Sequence, residues 1–109
     1  MKAVRKGKKY IRHIKKILTE NGISSVTIPR SGAGDIKGDL WIYLQDNKRI
    51  VAEGKRKERV SLWEWIRQAK QQSRPFPWAV IFSRNNEGDD YICLSLHYFI
   101  ELFKELKED

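Results

Sequence analysis

GDLWIYLQDNKRIVAEGK, residues 38–55, holds two runs rich in β-branched and aromatic residues, DLWIYLQ and KRIVAEG, separated by the turn-forming pair Asp46-Asn47. The pattern predicts an antiparallel hairpin. In such a pair the start of the first strand lies beside the end of the second, so Asp39 and Glu53 are brought close together. Lys55 is two residues beyond Glu53, and strand side chains two apart point to the same face. Two carboxylates offer oxygen ligands of the kind Mg²⁺ prefers, and the Gly54 carbonyl is a candidate further ligand. A divalent cation held there would lower the pKa of a bound water and neutralise phosphate charge, while Lys55 orients the nucleophile or stabilises the transition state. The plainer alternative is that Asp39 ends a loop and Glu53-x-Lys55 is a solvated ion pair worth little.

Working outward, Ile11, Ile14, Ile17 and Leu18 recur at helical spacing among Lys and Arg, which predicts an amphipathic helix over residues 7–21 ended by Asn21-Gly22. ISSVTI, closed by Pro29, suits a short edge strand, and RSGAGDIKG after it a loop. On the other side, Ser61 with Glu64 three residues later reads as a capping box opening a helix. Leu62, Ile66 and Ala69 mark its apolar face, Trp63 and Trp65 widen it, and Pro75 and Pro77 stop it. WAVIFS and YICLS are strands around a turn at Asn85–Asp90, and Leu96, Phe99, Ile100, Phe103 and Leu106 mark a closing helix. The predicted order is α-β-β-β-α-β-β-α, an α/β fold with a mixed sheet flanked by helices.

A chain of 109 residues predicts a single domain, residues 1–109, and no apolar run approaches the ~20 residues of a membrane span. The basic N-terminus lacks the apolar stretch of a secretory signal, and the single cysteine, Cys93, allows no internal disulfide, so a cytoplasmic setting is expected. Cys93 lies in a strand-like run and reads as a small buried hydrophobe. The net charge is +8, and residues 2–16 hold eight basic groups and no acidic one. That asymmetry points to a polyanionic partner, against the alternative of a solvated basic helix face.

The pair KGDLWI and RIVAEGK resembles the motifs of PD-(D/E)XK nucleases, with Asp39, Glu53 and Lys55 at the motif positions. More closely, Lys6-Gly7, the segment Glu20-Asn21-Gly22 and Arg30-Ser31-Gly32-Ala33-Gly34 resemble archaeal and phage-type Holliday-junction resolvases, from about residue 6 to about residue 72. The resemblance implies a restriction-endonuclease-like fold and a homodimer that cuts four-way DNA junctions with Mg²⁺ or Mn²⁺. It implies phosphate or junction contacts for Arg12 and Ser31, and a polar role for Gln68 or Gln71. Lys8, Lys9, Lys15, Lys16, Arg30 and Lys57 complete the candidate DNA-binding set. The resolvases carry a metal-ligating Glu directly before the helix-1 Arg; here that residue is Ile11, on the apolar face, and Asp35 is the candidate substitute. With Leu62, Ile66 and Ala69 already supplying core contacts, at least one of Trp63 and Trp65 is expected outside the monomer core, where it would favour dimerisation.

Three readings remain at this point: a junction-resolving endonuclease, a nuclease of the same chemistry in restriction or repair, and a non-catalytic basic nucleic-acid-binding module. The charge pattern makes a prediction common to all three. Log affinity for DNA falls steeply with log salt, and neutralising each true phosphate contact among Lys8, Lys9, Arg12, Lys15 and Lys16 flattens the slope by about one unit. A flat dependence in a filter-binding titration identifies a merely solvated helix face.

Overall fold

The computed structural model describes residues 2–29 and 36–107, with side chains from residue 7 onward. Its elements are α1 (Lys2–Glu20), β1 (Ser25–Thr27), β2 (Leu40–Tyr43), β3 (Arg49–Lys57), α2 (Leu62–Ser73), β4 (Trp78–Arg84), β5 (Tyr91–Cys93) and α3 (Leu96–Lys107), in the expected order. The strands form one sheet in the order β1-β2-β3-β4-β5. β3 and β4 run parallel and every other pair antiparallel, so the sheet is mixed, and α2 is the crossover that a parallel pair requires.

The hairpin forms as the strand pattern dictates. Asp46 and Asn47 adopt φ of 59° and 61°, the left-handed pair of a turn whose twist matches that of its strands. The register Leu40↔Ala52, Trp41↔Val51, Ile42↔Ile50 follows. Leu40, Ile42, Ile50, Ala52, Ala79 and Ile81 then share the sheet face covered by Tyr10, Ile11 and Ile14 of α1. On the opposite face Val80 meets Trp65 and Ala69 of α2. Burial of each large aliphatic side chain contributes about 1.5–3 kcal/mol, so these two layers supply most of the driving force.

Three features depart from the sequence reading. α1 begins at Lys2 rather than residue 7 and runs through Gly7, because the flanking Lys, Arg and Ala are good helix formers. Ser61 precedes α2, but its side chain makes no capping hydrogen bond, and Glu64 pairs with Arg67 at 3.1 Å instead of reaching back. α3 forms where expected, yet Leu96, Phe99, Ile100, Phe103 and Leu106 all face solvent and no residue of the helix is fully buried. α1 already occupies the sheet face over β3, so only Leu94 and Tyr98 from this end of the chain pack against that core. Of the two tryptophans, Trp65 is core and Trp63 is exposed. Among the described residues no helix is long and apolar enough to cross a membrane.

Two glycines mark the closest approaches between layers. A Cβ at residue 38 would lie 2.1 Å from Val51 Cγ1, and one at residue 54 would lie 2.6 Å from Ile11 Cδ1 and 3.1 Å from Ile14 Cδ1. Gly38→Ala and Gly54→Ala should therefore each lose about 1–3 kcal/mol by overpacking, read as a lower urea midpoint. Unchanged midpoints would show that Val51 and Ile11 give way freely.

Candidate active site

The site is built at the open end of the β2-β3 hairpin. Gly38 presses against Val51 and delivers Asp39 one residue before β2. The Asp39 backbone is then held from both sides: its N–H donates to Ala52 O at 3.1 Å, and its carbonyl accepts from Ile28 N at 3.0 Å. The β2-β3 register ends at Leu40↔Ala52, and the Asp39 N–H bond to Ala52 O keeps Asp39 beside the end of that ladder. The Asp39 side chain closes the arrangement, with Oδ2 accepting the Gly54 N–H at 2.9 Å. The carboxylate thus grips the peptide between Glu53 and Lys55.

Side-chain alternation on β3 separates the two faces of the strand. Gly54 lies under α1 and Arg56 stacks over the Tyr10 ring at 5.1 Å, so both belong to the α1 face. Glu53, Lys55 and Lys57 therefore project to the α2 face, where Val80, the parallel neighbour of Glu53, packs on Trp65 and Ala69. Glu53 is only 4% exposed. A carboxylate this deep is retained where cations or hydrogen-bond donors balance it. Lys55 is half-buried and Lys57 exposed, giving an acid, a cation and a second cation along one line.

The donor set is compatible with a hard divalent cation, because Asp39 and Glu53 supply carboxylate oxygens and no nitrogen or sulfur ligand is near in sequence. In an extended strand the N–H and C=O of one residue leave by the same edge, so the Gly54 carbonyl projects toward the edge its N–H shares with Asp39. The set is short, however: among the described residues no three His, Cys, Asp or Glu side chains gather into a metal-binding group. Ile11 is 8% exposed and packed over Gly54, so α1 contributes no carboxylate at that position. Asp35, Arg30 and Ser31 lie outside the described residues.

The remaining candidates are dispersed. Lys8, Lys9, Arg12 and Lys16 are exposed on α1, while Lys15 is half-buried and reaches Thr27 Oγ1 at 3.5 Å. Because α1 covers the face opposite α2, this basic surface flanks the carboxylates across the sheet and does not join them in one cluster. On α2, Gln68 is half-buried and Gln71 exposed. Gln72, one turn after Gln68, has a buried Oε1 that meets no hydrogen-bond partner among the described residues, and its backbone carbonyl accepts from Lys37 N at 3.4 Å. Its proximity to the segment leading into Asp39 makes Gln72 a stronger candidate than Gln71. Arg84 was also missed: it is the parallel neighbour of Lys57, so two cations stand side by side at the strand ends. Only the pairing of β3 with β4 reveals this.

One polar cluster serves packing. Asp90 accepts from the Tyr10 hydroxyl at 2.7 Å and lies 3.0 Å from His13 Nε2, tying α1 to the β4-β5 turn. Burial and the neighbouring Asp90 push the Tyr10 hydroxyl far above the usual tyrosine range, so it stays a neutral donor. Burial likewise raises the Cys93 thiol, in keeping with an unreactive side chain.

No protein-family model matches the sequence, and no curated protein does. Among solved structures the chain is similar to a Holliday junction resolvase, Hjc, from the archaeal hyperthermophile Archaeoglobus fulgidus, at 11% identity over 87% of this chain and 88% of that chain. The TM-score is 0.49, too low for the likeness to decide this chain's family.

The Asp39 contact separates structural from chemical roles. Asn keeps an oxygen that accepts the Gly54 N–H, whereas Ala leaves that donor unpaired at about 1–3 kcal/mol. Asp39→Ala should therefore unfold at clearly lower denaturant than Asp39→Asn. Equal midpoints would remove the hydrogen bond from the account of how the site is held.

Proposed function

We propose that this protein is a divalent-metal-dependent DNA endonuclease of the PD-(D/E)XK type, acting on four-way junctions. The observation that carries the reading is the 2.9 Å hydrogen bond from Gly54 N to Asp39 Oδ2, which ties the motif aspartate to the peptide joining Glu53 and Lys55. The net charge of +8 supports a nucleic-acid substrate. Asp39 and Glu53, with the Gly54 carbonyl, would hold Mg²⁺ or Mn²⁺. Such an ion supplies a more acidic water and charge neutralisation at the phosphate.

The chain's own residues account for the rest. The Lys55 ammonium, on the same strand face as Glu53, lies where it can neutralise a non-bridging phosphate oxygen as negative charge grows there. Attack by water forms one P–O bond as the P–O bond to the leaving sugar oxygen breaks; the attacking water gives a proton to solvent and the leaving oxygen takes one up from solvent to become a hydroxyl. Lys57 and Arg84 hold the neighbouring phosphate of the same strand, and the basic face of α1 takes up more distant ones. With no carboxylate from Ile11, the metal would be held weakly by Asp39, Glu53 and the Gly54 carbonyl, and Mn²⁺ would support activity at lower concentration than Mg²⁺. The short donor set favours one other reading, a basic binding module without catalysis.

A single assay distinguishes these readings: labelled four-way junction, linear duplex and single-stranded DNA incubated with Mg²⁺, Mn²⁺ or EDTA. Cleavage of the junction ahead of the duplex, abolished by EDTA, is the expected result. Lys55→Ala and Asp39→Asn should each lower the cleavage rate by a factor of about 10²–10³ while leaving junction affinity nearly unchanged. Wild-type rates in either variant would overturn the site, and binding without cleavage under any metal would leave the module.

A further inference from the structure

β3 and β4 run parallel and end level with each other, at Lys57 and Arg84. Beyond them the chain turns sharply: Glu87 N donates to Arg84 O at 3.2 Å, and Asn86 takes φ of 63°, a left-handed conformation that asparagine tolerates. Asn85 fastens this turn to the end of β3, its N–H reaching Lys57 O at 3.3 Å and its Nδ2 reaching Glu58 Oε2 at 3.4 Å. The turn and the strand end frame an open cavity of about 400 Å³ lined by Arg56, Asn85, Asn86 and Glu87. Crevices at the carboxyl ends of parallel strands are common ligand sites.

The lining carries charges of both signs that do not neutralise each other. Arg56 is half-buried, and its guanidinium is held 5.1 Å over the Tyr10 ring, which Asp90 fixes through the 2.7 Å hydrogen bond to the hydroxyl. Among the described residues, no carboxylate lies within ion-pair distance of Arg56, and no Lys or Arg within ion-pair distance of Glu87. A cation and a carboxylate therefore face one cavity with their hydrogen-bonding capacity unfilled. A phosphate satisfies only the cation. A ligand that satisfies both presents acceptors on one side and donors on another.

The geometry points to an unpaired guanine base as that ligand. Guanine offers O6 and N7 side by side to the forked guanidinium, and its N1–H and N2–H₂ donors to the carboxylate. Adenine has a donor in place of O6, and arginine has no acceptor to meet it. Cytosine carries its donor and acceptors on one short edge, whereas Arg56 and Glu87 stand beyond ion-pair distance of each other. In a duplex the donors that Glu87 takes are already held by the paired base, so the cavity accepts guanine only where it is unpaired. The source of the base rests on the endonuclease reading: a strand whose phosphate is held by Lys57 and Arg84, roughly 7 Å along β3 from Lys55, swings its next base over the end of the sheet toward Arg56.

The test is run in EDTA throughout, so it reads the cavity whether or not the chain cleaves DNA. Fluorescence anisotropy compares a labelled short oligothymidylate with the same strand carrying one central dG, dA or dC. The dG strand should bind about tenfold more tightly than oligothymidylate, with dA and dC close to the latter. Arg56→Lys keeps the charge but loses the fork, and Glu87→Gln removes the carboxylate from an exposed position. Each should abolish the dG preference while leaving oligothymidylate affinity nearly unchanged. Equal affinity for all four strands overturns the proposal, as does a preference that survives when the dG is paired in a duplex. An Arg56→Lys loss shared equally by the dG strand and oligothymidylate marks a phosphate contact and overturns it too. Nuclear magnetic resonance titration with mononucleotides separates the sources of the base: GMP should move the Asn85 and Asn86 amide resonances further than AMP does, and equal shifts overturn base recognition. Selective GMP binding without any preference among the strands makes the cavity a free-nucleotide site and overturns its part in strand recognition.

Discussion

Residue 54 is where two demands on the central strand coincide. From one side α1 lowers Ile11, Ile14 and Tyr10 onto the strand so closely that a Cβ at residue 54 would force the Ile11 side chain to shift. From the edge, the Asp39 carboxylate takes the same residue's N–H. The first contact sets the depth of the helix on the sheet and the second sets the position of the aspartate relative to the strand. A side chain at 54 would push α1 outward, and a shift of the β3 backbone would detach Asp39. The core and the candidate site therefore depend on one peptide.

Glu53, on the other face of the same strand, is a deeply buried carboxylate. The groups around it sit on paired strands, whose hydrogen-bonded backbone holds side chains in place better than loops do. The sheet also divides the labour of the surface. The face under α1 carries packing groups, including the Tyr10–Asp90–His13 cluster that ties the helix to the β4-β5 turn. The face under α2 carries Glu53, Lys55 and Lys57, with Arg84 beside them. The exposed basic groups of α1 stand on the flank, apart from the carboxylates.

α3 shows the same economy from the opposite direction. With β3 already covered by α1, the last helix touches the core through one narrow edge, and its broad apolar face is left for another surface. In a chain of this size an apolar stripe so regular is costly to keep in water.

The Asp46-Asn47 hairpin and the approach of Asp39 to the strand that carries Glu53 and Lys55 were legible in residues 38–55, because strand alternation and turn preference are local properties of the chain. Ile11 could be recognised as apolar-facing from helical spacing alone. Ser61 showed the limit of a local rule: the capping pattern is present, but the hydroxyl makes no capping bond and Glu64 turns to Arg67. Other features depended on which elements lie over which. The need for glycine at 38 and 54 arises from Val51 and Ile11, distant in sequence, and Arg84 joins Lys57 only through the parallel pairing of β3 with β4. The apolar stripe of α3 was visible as a periodicity, but periodicity states only that a face seeks cover. Whether the sheet supplies that cover is decided by competition for area, and α1 had already taken it.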